Sequence, residues 1–203
     1  LIDFEGKEIT KPIYDEMSNL SYKEGEILVK QNDKYGVINI KGNVLVPVEY
    51  DEIIADKYYT EENSYKNAGY IVSVKTDEGF RYGYIDVNGK KILDTEYNQV
   101  SRITDIEDPN NIFLLCAKNG QYGVYQNDKE LIPNEYQSIT YDKSNKVFIV
   151  ERSKVYGARD ITGKEIIPVQ YSQIDVTGIY LYVQNDQGVT VYTSTGEQAN
   201  INQ

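Results

Sequence analysis

The chain has 203 residues, 40% hydrophobic and 26% charged, which places it with folded proteins of one or two domains and argues against disorder. Asp and Glu outnumber Lys and Arg 32 to 21, for a net charge of −11. That balance lacks the basic patch a phosphate-backbone binder needs, so nucleic acid is excluded as an expected partner.

Ile, Val, Leu and 20 tyrosines dominate the apolar set, a composition suited to pleated, half-buried strands. No stretch approaches the ~20 apolar residues of a membrane span. The apolar run 112–117 suits a buried strand, and its Cys116 is expected to be an inert core residue. The chain opens Leu1-Ile2-Asp3 without Met, as expected of a piece of a longer protein, so the lack of a leader says nothing of location.

Taken in chain order, one pattern recurs. Its clearest copy runs from Lys34-Tyr35-Gly36 through Ile38-Asn39-Ile40-Lys41-Gly42 to Pro47-Val48-Glu49-Tyr50. The next begins Tyr82-Gly83, passes Asp86-Val87-Asn88-Gly89-Lys90 and ends Glu96-Tyr97. The third joins Tyr122-Gly123 to Pro133-Asn134-Glu135-Tyr136, and the fourth joins Tyr156-Gly157, through Asp160-Ile161-Thr162-Gly163-Lys164, to Pro168-Val169-Gln170-Tyr171. Both ends hold partial copies, with Gly6, Pro12 and Tyr14 at one and Tyr192 and Gly196 at the other. The Tyr-Gly pairs lie 47, 40 and 34 residues apart, so the shortest spacing marks the basic unit.

Each unit reads as about three strands. The first precedes Tyr-Gly, over 26–30, 70–75, 112–118, 146–151 and 179–184. The second starts at Tyr-Gly, and the third is the apolar stretch leading to Pro and Tyr. The last two form a hairpin, closed by a type I turn with a glycine bulge. Asn127-Asp128-Lys129 is shorter and lacks Gly, so that turn must differ. The Tyr-Gly glycines interrupt strand patterns, which points to a bulge or an aromatic ring over bare backbone. Pro12, Pro47, Pro133 and Pro168 are expected where the third strand ends or becomes an edge. The insertions 55–68 and 102–111 are expected to be surface loops.

These features predict an all-β fold of tandem repeats as an open, solenoid-like superhelical array; the alternative is a closed, five-bladed-propeller-like ring. A single array spans 1–203, with approximate units 1–24 (partial), 25–68, 69–110, 111–144, 145–177 and 178–203 (partial). The structural repeat motif comprises Tyr35, Gly36, Tyr82, Gly83, Tyr122, Gly123, Tyr156 and Gly157, with the closing tyrosines Tyr50, Tyr97, Tyr136 and Tyr171 expected in the core.

The Tyr-Gly, Ile-Asp-x-x-Gly-Lys and Pro-x-x-Tyr-Asp elements, in phase over nearly the whole chain, resemble the WG-repeat family of bacteria. That family usually carries Trp-Gly where this chain has Tyr-Gly. The resemblance implies a β-repeat array. It implies no enzyme activity, and it points to multi-copy proteins that are sometimes exported or surface-associated.

With no His, the chain lacks a His-based triad and any imidazole base or metal ligand; one Cys excludes thiolate clusters. Asp86-Val87-Asn88-Gly89 imitates the start of a calcium loop, but its Gly comes two positions early, so it reads as a turn. No catalytic residue, metal or cofactor is therefore expected. The expected role is non-catalytic: a binding or scaffold module presenting an extended β surface to a protein or glycan. The alternatives are a structural spacer within a longer protein and, less favoured, a glycan hydrolase working through two carboxylates that nothing in the spacing selects. The insert tyrosines are better ligand candidates than the repeated ones.

Overall fold

The computed structural model describes residues 1–21, 25–60, 64–106 and 111–199. Nineteen strands are found among them and no helix, so no helix is present that could cross a membrane. The chain divides into two compact units, Leu1–Val100 and Ser101–Gln203.

In the first unit, β1 (Glu16–Ser21), β2 (Glu26–Gln31), β3 (Lys34–Asn39) and β4 (Val44–Tyr50) form one antiparallel meander. A second follows in β5 (Glu52–Thr60), β6 (Ser64–Thr76), β7 (Gly79–Asp86) and β8 (Lys91–Tyr97). The next meander comprises β9 (Gln99–Arg102), β10 (Phe113–Lys118), β11 (Gln121–Gln126) and β12 (Lys129–Tyr136). The second unit continues with β13 (Ser138–Asp142), β14 (Val147–Arg152), β15 (Val155–Asp160) and β16 (Glu165–Tyr171). Last come β17 (Gln173–Thr177), β18 (Tyr180–Asn185) and β19 (Gly188–Thr193).

The fold is therefore all-β and built of tandem repeats. The three strands read from sequence gain another, the first of each sheet, which starts two residues past the closing tyrosine. The residue between them fastens the extra strand to a turn. Asp51 accepts from the Lys34 ammonium (2.7 Å) and the Lys75 amide (2.8 Å), which hold its carboxyl below the usual range. Gln137 receives the Ser153 amide at 2.8 Å in the same way.

The hairpin between the third and fourth strands of a four-stranded sheet explains the Asp-x-x-Gly-Lys motif. The Gly89 amide donates to the Asp86 carbonyl, and the Asp86 amide donates to the Lys90 carbonyl, with Gly89 at φ 85°. This is the type I turn and glycine bulge. The carboxylate of Asp86 then accepts the amides of Asn88 and Lys90 at 2.9 and 2.8 Å, so the calcium-like segment is a self-satisfied turn. Asp160 repeats it: burial works against its charge, yet the Thr162 hydroxyl and the Thr162 and Lys164 amides keep its carboxyl below the ordinary range. The glycine-free turn does differ. Asn127, at φ 52°, supplies the positive dihedral and receives the Ile112 amide.

Opposite each Tyr-Gly pair the fourth strand bulges. Tyr35 faces Tyr50 while Val37 faces Val46, so three residues of β4 oppose Gly36 alone. Pro47 sits in that bulge, where no ladder donor is needed; Pro133 and Pro168 do the same. The prolines therefore lie within the strand, which continues to its tyrosine. Atoms of the bulging strand close over each glycine, a carbonyl oxygen among them: a Cβ on Gly83 would lie 2.6 Å from the Leu93 oxygen.

Hydrophobic interiors lie between successive sheets. Val37, Val46 and Tyr50 of the first sheet pack with Tyr70, Val72 and Ile85 of the second. In the second unit Val124, Ile132 and Tyr136 meet Phe148 and Val150, and Ala158, Ile167 and Tyr171 meet Leu181 and Val183. Each fully buried aliphatic side chain contributes ~1.5–3 kcal/mol, so no sheet holds its own interior alone; stacking supplies it.

The segment 55–68, expected as a loop, is mostly strand. β5 and β6 pair continuously from Glu52↔Ser73 to Thr60↔Ser64, with one register shift between Asp56 and Lys57. Tyr58, Tyr59, Thr60 and Tyr65 have side chains that suit a pleated ribbon and favour pairing over an open loop. Residues 61–63 and 107–110, within the two insertions, lie outside the described residues.

Candidate functional site

The paired strands β5 and β6 outrun their sheet. β7 pairs with β6 only from Gly69 to Thr76, so Lys57–Thr60 and Ser64–Asn67 pair with each other alone among the described strands. On this two-stranded ribbon Tyr58, Tyr59 and Tyr65 are exposed, at 39%, 58% and 63%. Tyr59 and Tyr65 face each other directly across the ladder. Their rings meet edge to face, with centroids 5.1 Å apart and planes at 66°. Such a pair stabilises by about 0.5–1.5 kcal/mol beyond area burial, which holds both rings in place without covering them.

The base of the ribbon is built differently, around a carboxylate. Glu26, only 5% exposed, lies on β2 and receives the Tyr70 phenol at 2.6 Å. The Asn67 amide donates to its two oxygens at 3.2 and 3.1 Å, and the Asn67 oxygen takes the Gly69 amide. Among the described residues no cation pairs with Glu26. A buried charge held only by neutral donors is costly, so its three hydrogen bonds must be well made. Two further links tie the ribbon down: Lys57 donates to the Leu20 carbonyl at 3.1 Å, and Tyr84 to Asp56 at 2.8 Å.

This cluster breaks the repeat. Glu26 pairs with Asn39 as Gly69 does with Asp86, Phe113 with Gln126, Val147 with Asp160 and Tyr180 with Thr193. One sheet thus carries an acid where the others carry Gly, Phe, Val or Tyr. Tyr70 likewise stands where the others have Ile27, Leu114, Phe148 and Leu181. Sequence reasoning missed Glu26, Asn67 and Tyr70. The signal was present as a polar residue in a register position otherwise apolar or small.

The repeat residues are distributed, one set to a sheet. Tyr35, Tyr82, Tyr122 and Tyr156 are half-buried, while Gly36, Gly83, Gly123 and Gly157 are buried beneath the bulges. Tyr50, Tyr97, Tyr136 and Tyr171 are buried. Their phenols meet unlike partners. Arg159 donates twice to the Tyr136 oxygen, at 3.1 and 2.8 Å, and Tyr171 lies 3.0 Å from the Tyr192 hydroxyl. Burial, followed by the charges of Glu49 and Asp94, pushes the Tyr50 phenol up to about 12. Cys116 is fully buried, and burial pushes its thiol well up, so it is no nucleophile. Among the described residues, no three acids or thiols are placed to hold a metal.

The chain is similar to a solved structure described as the crystal structure of the eukaryotic initiation factor, at 10% identity and a TM-score of 0.41. The match covers 93% of this chain and 54% of that one, and at that level nothing about this chain follows from it. No curated protein matches the sequence. The family model of the WG-containing repeat matches residues 1–35, 35–56 and 82–105. Those stretches hold the Tyr-Gly, Asp-x-x-Gly-Lys and closing-tyrosine elements described above, and in them the chain matches the WG-containing repeat three times.

Proposed function

We propose that the chain is a non-catalytic binding module that presents the β5–β6 ribbon to a partner protein. The observation that carries this reading is the exposure of Tyr58, Tyr59 and Tyr65 on a ribbon that leaves its sheet. Tyrosine is enriched where proteins bind, because its ring offers large contact area with little entropy to lose and its hydroxyl tolerates water. The buried Glu26 cluster supports the reading, since it fixes the ribbon's base at a place where a repeat built only for stability would be apolar.

The test is a peptide and glycan array probed with the parent chain and with a Tyr58→Ser, Tyr59→Ser, Tyr65→Ser triple variant. Peptide binding lost in the triple variant is the expected result. Peptide binding that survives in it, or binding to glycans alone, overturns the ribbon as a protein-contact surface.

A further inference from the structure

The second unit holds a cleft of about 290 Å³ that is independent of the ribbon and its proposed role. Phe148, Leu115 and Tyr141 give it an apolar lining; Arg102, Asp105 and Thr140 give it polar groups. Its volume sits at the lower end of the roughly 300–1,000 Å³ of small-molecule sites, which suits one ring rather than an extended oligomer.

Two of these residues occupy the same register place. Five residues after the closing tyrosine the chain has Asn19, Ala55, Arg102, Tyr141 and Val176 in successive sheets. Arg102 and Tyr141 are the longest side chains at that place, and both carry hydrogen-bonding groups. Tyr141 pairs with Phe148 across β13 and β14, and their rings lie 5.0 Å apart at 48°. Burial, then the charges of Asp142 and Asp105, raises the Tyr141 phenol, so it stays a donor.

We propose that this cleft binds a single neutral pyranose ring, free or at the end of a glycan, with its C–H face on Tyr141, whose ring the fully buried Phe148 backs, and its hydroxyls on Asp105, Thr140 and Arg102. The aromatic face carries partial negative charge, and the C–H bonds beside a sugar's oxygens carry partial positive charge, so the two attract. Adjacent hydroxyls both donate and accept, which matches a lining that offers a carboxylate and a guanidinium together. A carboxylated ligand fits less well, because Asp105 and the chain's net charge of −11 repel it.

Saturation-transfer NMR on the whole chain, with the methyl glycosides of glucose, galactose, mannose and N-acetylglucosamine as probes, reads this directly. Transfer to the C–H protons of at least one glycoside is expected. Affinity should fall roughly tenfold in Asp105→Asn, as a charge-assisted hydrogen bond weakens. Tyr141→Ala should abolish the transfer. Asp105 is exposed, so its amide variant tests the site even where Tyr141→Ala fails to fold. A glycan array separates the sources: binding there but not to free glycosides assigns the ring to a chain end. No transfer and no array signal, or signals unchanged in Asp105→Asn, overturn the proposal.

Discussion

The Tyr70 phenol lies 2.6 Å from a Glu26 carboxylate oxygen, although the two residues are 44 apart in sequence and belong to successive sheets. A hydrogen bond to a buried charge is worth about 1.5–3 kcal/mol, more than one between neutral groups. Tyr70→Phe should therefore lower stability by about 2 kcal/mol, read from urea midpoints. In a Glu26→Gln background the same change should cost only about 1 kcal/mol, because the lost acceptor is neutral. Equal costs in both backgrounds would show that the Glu26 charge contributes nothing to this contact.

Two kinds of glycine make opposite demands on a side chain. Gly83 and Gly123 have ordinary strand dihedrals, but a Cβ there would lie 2.6 and 2.7 Å from the Leu93 and Ile132 oxygens. Gly83→Val or Gly123→Val should destabilise by ~1–3 kcal/mol through overpacking, opposite to the strand preference of Val. Gly120 and Gly163 both have positive φ, 76° and 84°. Nothing lies near a Cβ on Gly120, whereas one on Gly163 meets the Leu131 carbonyl of the preceding sheet. Gly120→Ala should cost only the dihedral strain, about 1–2 kcal/mol, and Gly163→Ala clearly more. Thermal or urea unfolding of the pairs distinguishes the cases, and equal losses at 120 and 163 would refute the inter-sheet contact.

Alkaline pH should unfold the chain earlier than its ion pairs alone dictate. Tyrosine is an acid, and the folded chain holds the Tyr50 proton up to about 12. The unfolded chain releases it near pH ~10. Above that the unfolded state binds fewer protons than the folded one, so stability falls as pH rises. Tyr136, Tyr141 and Tyr192 are raised in the same direction. Urea midpoints taken between neutrality and about pH 11 should drop less steeply in Tyr50→Phe than in the parent. A slope unchanged by that substitution would remove Tyr50 from the account.

The sequence by itself determined what local chemistry controls. An Asp followed three residues later by Gly closes a turn through its own carboxylate and a left-handed dihedral, and neither depends on the rest of the chain. Recurrence of such turns in phase was enough to announce an all-β repeat. Tertiary structure alone decided three other matters. The first strand of each sheet has no motif of its own and becomes a strand by pairing with the next one. The insertion at 55–68 folds as a ribbon because β5 and β6 find each other. Glu26, Asn67 and Tyr70 meet only when two sheets stack, and the cleft beside Tyr141 exists only where β9 and β13 bring Arg102 and Tyr141 together. Turn chemistry is short-range and legible residue by residue, whereas burial and long-range contact depend on which faces the stacking covers.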